Sequence, residues 1–572
     1  MPIQDLRKRD LWLFWTLALL VLGAGLGLRD PWPADEPRFA LVAKQMVESG
    51  NWLFPHRGTE LYSDKPPMLM WLQAAFYTVT GNWRVAFLLP SLLAALGTLW
   101  CVQDLAGRLW TRRVGLYAAW ALLFAFQFTW QAKKAQIDPL VTFFITLANY
   151  GLLRHLLLGP AWRWWALGWA AAGLGTITKG VGALALLMVL PAAIAAVRGW
   201  PRVRVHARDR RFWLGPLAFL GAVSVWLVPV LAVALSQDLP EYRAYLDDIL
   251  LRQTAKRYSQ SWDHHQPAWY HLGVMASMWI PAVLALPWAI PAWRRRLRRR
   301  DPRYLLPLAW WLLVLVFFSI PDGKRDVYIM PALPMMCLAL APLLPGILRR
   351  RLPRALLLAL ALLVALLFLA GGASVLSGVG SLPERLREQR GLDPQGIVAG
   401  GWMLLAIGAW GLGCVLAFRR RAVAALSATL AGLWVVFGLV GYGLLNDASS
   451  ARGVMAAAGR RIGPEAELGL VAWKEQNLLM ADRPAATFGF KRPWDEQLQL
   501  AVAWQAQAPD RWLLVLEDAL EHCLDPQRIE LAGISNRRRW YLVPPDAVVA
   551  PCEATPEERA RAAAGQARDL EE

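Results

Sequence analysis

Charged side chains beside long apolar runs are costly and so default to a functional reading. Directly after the first apolar run, "ADEPRF" supplies Asp35 and Glu36, and "YSDKPP" supplies Tyr62, Asp64 and Lys65. "AKKAQIDP" brings Lys133, Lys134 and Asp138, "TKG" brings Lys179, "DHHQPAWYH" brings His264 and His265, and "PDGKRDVYIMP" brings Lys324, Arg325 and Tyr328. Carboxylates mixed with lysines and arginines suit a phosphorylated lipid: the cations hold the phosphate, and a carboxylate orients or deprotonates an attacking group. A histidine with a carboxylate also suits a divalent metal that supports a leaving phosphate. Each group has an ordinary reading too. Asp35 and Glu36 fit the first turn of a helix, and Asp138 before Pro139 fits a cap. Lys65 fits a snorkelling anchor, Lys179 a charge in a short turn, and Tyr62 an interfacial aromatic. The two histidines fit a solvated loop, and Lys133 and Lys134 fit lipid headgroup or surface contacts.

The elements that must position these residues are apolar helices. The chain has 572 residues, 56% of them hydrophobic, with 32 tryptophans, which is too apolar for a soluble multi-domain protein. Runs long enough to cross a bilayer fall near 11–28, 83–104, 114–131, 138–158, 163–178, 181–198, 213–235, 270–292, 305–319, 328–347, 354–372, 397–417 and 422–445. That predicts about thirteen transmembrane helices, the first of them retained because it lacks a small-residue cleavage site. Arginine clusters such as "GRLWTRR", "WRRRLRRRDPR", "RRRLPR" and "FRRR" fall at every second loop, so the +19 charge reports orientation, not nucleic-acid binding. The N-terminus is expected in the cytoplasm and the C-terminus outside.

The expected fold class is therefore an all-α polytopic membrane protein, with residues 1–445 as the membrane domain and 29–82 as its first external loop. In that loop "VAKQMVES" reads as a helix, and "KPPMLMWLQAAFYTVTG" as an amphipathic helix along the interface. Strand-like pieces "LGLVAW", "RWLLVLE" and "RWYLVP" predict a small external α/β domain over 446–554. A charged tail, 555–572, is expected to be disordered. Cys523 and Cys552 lie in the polar part and could pair in an oxidising compartment, whereas Cys101, Cys337 and Cys414 lie inside apolar runs.

The stretch "ADEPRFALVAKQMVESGNWLFPHRGTELYSDKPPMLMWL", with "QIDP", "TKG", "HHQPAWY" and "PDGKRDVYIMPALP", resembles the protein mannosyltransferase-like GT-C glycosyltransferases. In layout it is most similar to the bacterial aminoarabinose transferases that modify lipid A. The resemblance implies an inner-membrane enzyme that takes a sugar from a polyprenyl (undecaprenyl) phosphate at the periplasmic face and passes it, with inversion, to an acceptor. The first choice is 4-amino-4-deoxy-L-arabinose delivered to lipid A or another envelope acceptor. It implies Asp35 as the catalytic carboxylate, with Glu36 beside it and Asp138 as a second acid. Lys65, Arg38 and Tyr62 would hold the donor phosphate, joined by Lys324 or Arg325 and by Lys179. Asp64 with His264 or His265 would match a metal pair for Zn, Mg or Mn. Two departures stand out: Phe39 follows Arg38 where a Tyr is common, and Asp64 stands where the aminoarabinose transferases have Glu. The rival readings are a flippase or transporter for lipid-linked sugar, a mannosyltransferase of the same fold, and a non-catalytic scaffold. The flippase predicts charges near the bilayer midplane and internal repeats, neither of which the sequence displays.

Overall fold

The computed structural model describes residues 8–250 and 265–571. Among them, eight helices are long and apolar enough to cross a membrane: Trp83–Leu109, Ile137–Leu158, Gly180–Val197, Arg210–Gln237, Pro302–Ser319, Arg351–Ser377, Pro394–Ala417 and Ala422–Ser450. The pair Tyr270–Met278 and Ala282–Arg298, bent by 98°, makes a ninth if its two arms form one span. The other expected runs fall on shorter pieces. Helix α1 (Lys8–Gly23) has 16 residues and Trp162–Thr176 has 15. The run 114–131 is divided between Arg112–Leu123 and Phe126–Ala132, and the last of the four is Asp326–Leu340. The division has a packing cause: the Phe126 amide donates to the Ile280 carbonyl, in the bend of the neighbouring helix pair, instead of continuing its own helix.

The first loop builds the platform for the site. Helix α2 (Glu36–Ser49) starts with Pro37 in its first turn and stops at Gly50. Gly50 has φ +72°, the left-handed conformation that glycine adopts freely. Phe39, Val42, Ala43 and Met46 on one face of α2 pack against Leu69, Met70 and Ala74 of α3 (Met68–Thr80) and against Ile137, Leu140 and Phe144. Between α2 and α3 runs a short hairpin of β1 (His56–Arg57) and β2 (Glu60–Leu61). Gln45 clamps its turn, donating to the Gly58 carbonyl at 2.9 Å and accepting from the Gly58 amide at 3.0 Å. Gly58 itself is required: its φ is +66°, and a Cβ there would sit 3.0 Å from the Trp473 ring.

The last apolar helix leads through Ala451 into a unit with its own core. A mixed five-stranded sheet has the order β4-β3-β5-β7-β6. Its strands are β3 (Glu467–Val471), β4 (Ala485–Thr487), β5 (Arg511–Leu516), β6 (Glu530–Ser535) and β7 (Arg538–Val543). The first three run parallel, while β7 is antiparallel to both β5 and β6. Apolar residues of these strands pack on helices Arg452–Ile462 and Trp494–Gln505. Leu41 of α2 belongs to the same core, which joins the unit to the first loop. Cys523 and Cys552 form a disulfide. The end of the chain differs from expectation: Pro556–Glu571 is a helix, not a disordered tail. A capping box explains it, with the Glu558 amide donating to Thr555 and the Thr555 amide to Glu558 Oε2.

Candidate active site

The first turn of Ile137–Leu158, the turn before Gly180, the extended segment before Asp326 and the start of α2 converge on one space. Asp35 lies at its centre. Its side chain does not cap α2. Instead Oδ2 accepts from Gln136 Nε2 at 2.9 Å and from Arg325 Nη2 at 3.4 Å, and Oδ1 lies 3.8 Å from Arg38 Nη1. Burial alone would raise the Asp35 pKa, but Arg325, Arg38, Lys179 and Lys65 outweigh it and hold the carboxyl below its ordinary range. Asp138 is buried and accepts from Lys179 Nζ at 2.7 Å, and the same ammonium lies 4.7 Å from the centre of the Tyr328 ring. Asp138 thereby anchors a lysine rather than presenting a second open acid.

Glu36 faces elsewhere. Its two oxygens accept from the buried guanidinium of Arg29, from the Trp32 amide at 2.8 Å and from the Ala135 amide at 2.9 Å. All of these hold the loop in shape, so the catalytic expectation for Glu36 is corrected to a structural one. Adjacent residues entering a helix differ by about 100° in direction, enough to send this acid into the core while its neighbour faces the site. Lys324 is corrected for a related reason. The segment before Asp326 is extended, so successive side chains point to opposite sides. Arg325 reaches Asp35, while Lys324 is buried and donates to the Gln266 carbonyl at 2.8 Å.

Lys65 donates to the Asp64 carbonyl at 3.0 Å, and its charge acts on Asp35 and Asp64 alike. Tyr62 is buried, and its hydroxyl has no hydrogen-bond partner among the described residues. Burial first, and Asp64 second, push its pKa up, so it remains a neutral donor. Three further side chains carry no signal in the sequence. Gln136 is a neutral amide next to the expected "IDP". Arg57 ends β1 of the first-loop hairpin, 3.6 Å from both Asp64 Oδ2 and Glu475 Oε1. Glu475 begins the short helix Glu475–Met480 of the C-terminal unit and accepts from Arg38 Nε at 3.1 Å.

The described residues around Asp64 do not fit a divalent cation. Against the rise that burial would cause, Arg57, Arg38, Lys65 and Lys491 hold its carboxyl low, and a metal there would meet four positive charges. His265 is exposed and engaged through its backbone with Gly323, and His264 lies outside the described residues. The single set of three potential ligands among the described residues is Glu521, Cys523 and Cys552, whose sulfurs are already joined.

Residues 64–228 match the family model described as dolichyl-phosphate-mannose-protein mannosyltransferase. The chain shares its fold with ArnT from Cupriavidus metallidurans, solved with undecaprenyl phosphate bound, with a TM-score of 0.70. That superposition covers 96% of this chain and 100% of the other at 19% identity. The undecaprenyl phosphate-alpha-4-amino-4-deoxy-L-arabinose arabinosyl transferase of Pseudomonas savastanoi pv. phaseolicola is 31% identical over 342 residues, 59% of this chain and 61% of the relative. A second transferase of that name, from Sodalis glossinidius, is 32% identical over 58% of this chain and 59% of the relative. The aligned region thus spans about three fifths of these relatives.

Proposed function

We propose that the protein is an integral membrane glycosyltransferase that moves a sugar, first choice 4-amino-4-deoxy-L-arabinose, from undecaprenyl phosphate to lipid A. The observation that carries the reading is the Asp35 carboxylate, ringed by Arg38, Arg325, Lys179 and Lys65 within a fold shared with a protein solved with undecaprenyl phosphate bound. The names of the sequence relatives support the sugar and the lipid carrier. In this reading Arg38, Lys65, Arg325 and Lys179 draw negative charge away from the departing lipid phosphate as the glycosidic bond breaks. Tyr62 donates to that phosphate, and Asp138 keeps the Lys179 ammonium in place. Asp35 faces the acceptor on the opposite side of the sugar, as inversion requires. A carboxylate held this far below neutrality is a weak base, and a lipid A phosphate is already ionised. Asp35 therefore positions the phosphate nucleophile through the cations or hydrogen bonds it holds, rather than deprotonating it.

In the same proposal the four shorter helices complete about thirteen crossings of a bacterial inner membrane. The N-terminus is cytoplasmic and the site and C-terminal unit are periplasmic. Helix Ile137–Leu158 supports this orientation, with Asp138 in its first turn and Arg154 near its far end. Mass spectrometry of lipid A from cells with and without the gene tests the reaction. A pentosamine adduct is expected only with the gene, and an identical lipid A profile in both would refute lipid A as the acceptor.

A further inference from the structure

We propose that Glu475 is a positioning residue for the guanidiniums of Arg38 and Arg57, so that the C-terminal unit completes the anion-binding half of the site. The inference rests on the reading of that site given above. Glu475 stands 437 positions from Arg38 in the chain, yet it is buried, and one of its oxygens serves both cations: Arg38 Nε at 3.1 Å and Arg57 Nη1 at 3.6 Å. A carboxylate is taken out of water at a cost, which two guanidiniums offset here. The rest of the unit reinforces the arrangement. The Phe490 ring lies 3.9 Å from the Arg57 guanidinium, Trp473 rests on the Gly58 turn, and Leu41 of α2 enters the unit's core.

Geometry gives the contact its consequence. Glu475 occupies the Nε edge of Arg38, which turns the Nη nitrogens toward Asp35 and the open side of the site. Arg57 is held between Asp64 and Glu475, and its buried Nε has no hydrogen-bond partner among the described residues, like the neighbouring Tyr62 hydroxyl. These two orphan donors, beside the exposed edge of Arg38, are groups that a phosphate oxygen satisfies. Without the Glu475 charge, Arg38 is free to close onto Asp35 and Arg57 onto Asp64. Each acid would then consume a cation meant for the ligand.

The test uses the purified full chain in lipid nanodiscs with undecaprenyl phosphate as the probe, read by native mass spectrometry, alongside sugar-transfer kinetics. Glu475→Gln is expected to weaken lipid phosphate binding about tenfold or more and to raise the donor KM more than it lowers kcat. Glu475→Asp, which keeps the charge, should recover part of the affinity. In a background of Arg38→Gln and Arg57→Gln the Glu475 substitution should add nothing, because its effect runs through those residues. Binding equal to wild type, or the same weakening in both backgrounds, overturns the positioning role. A wild-type chain that ignores the probe refutes the lipid phosphate reading instead. The same substitution cycle read by thermal unfolding then judges Glu475, and absence of coupling to the two arginines overturns its role.

Discussion

Asp35 and Glu36 are neighbours with opposite assignments, and their substitution should separate them. Asp35→Asn keeps shape and most hydrogen bonds but removes the charge at the centre of the cation ring. Sugar transfer should fall by about a hundredfold with insertion and donor binding retained. Undiminished transfer would remove Asp35 from the mechanism. Glu36→Gln instead leaves the guanidinium of Arg29 buried without its counter-charge. Breaking such a pair costs about 3–5 kcal/mol, so thermal unfolding in detergent should drop sharply, and the surviving folded fraction should still turn over. The sequence made Asp35, Asp138, Lys65 and Lys179 visible because each is a charge next to an apolar run. The resemblance ranks Asp35 above Glu36, but that Glu36 is the one of two adjacent side chains that meets Arg29 is visible only in the fold. Gln136 has no charge to draw notice, and Arg57 and Glu475 sit in polar stretches where charges are ordinary. Only the tertiary fold brings them to the site.

At the scale of elements, the ends of the first helix and first loop are fixed by buried polar groups. Lys133, expected at the membrane surface, is buried, and its ammonium donates to the Val21 carbonyl at 3.0 Å and the Ala24 carbonyl at 2.8 Å, at the end of α1. It supplies N–H donors where a helix leaves its last carbonyls unpaired. Its own carbonyl accepts from Arg29 Nη2 at 3.0 Å, so helix end, ion pair and loop form one chain of contacts. Lys133→Met retains the volume and strands those acceptors. The expected cost is about 1–3 kcal/mol in thermal unfolding, with transfer per folded molecule unchanged, and an unaltered melting temperature would dismiss the cap. Near it, Asp30 accepts from Arg84 at 2.9 Å, from Arg452 at 2.6 Å and from Asn446 at 2.8 Å. The start of the first loop is thus bound to the last apolar helix and the C-terminal unit. Apolar runs were legible as helices from composition, but where they break was not. The division at 124–125 depends on a backbone bond to Ile280, which no local pattern records.

For the whole molecule, a site shared between the membrane part and the C-terminal unit makes activity depend on the stability of that unit, and Glu521 offers a pH handle on it. This carboxylate lies beside the Cys523–Cys552 disulfide, largely buried, with no hydrogen-bond partner for either oxygen among the described residues. Burial first, then Glu558 and Asp495, push its pKa up to about 7 from an ordinary 4.5. A carboxyl whose folded pKa is raised contributes stability that is fully present below 4.5 and lost as pH rises through about 7. Above neutrality the folded unit holds an unpaired buried charge, and an uncharged amide in its place avoids that cost. Glu521→Gln should therefore raise the thermal midpoint at pH 8, by an amount corresponding to about 1–3 kcal/mol, and change it little at pH 4.5. Heat inactivation of transfer at pH 8 should slow in parallel, because Glu475 leaves Arg38 when the unit unfolds. A gain in stability equal at both pH values would place the effect in packing and not in the ionisation of Glu521.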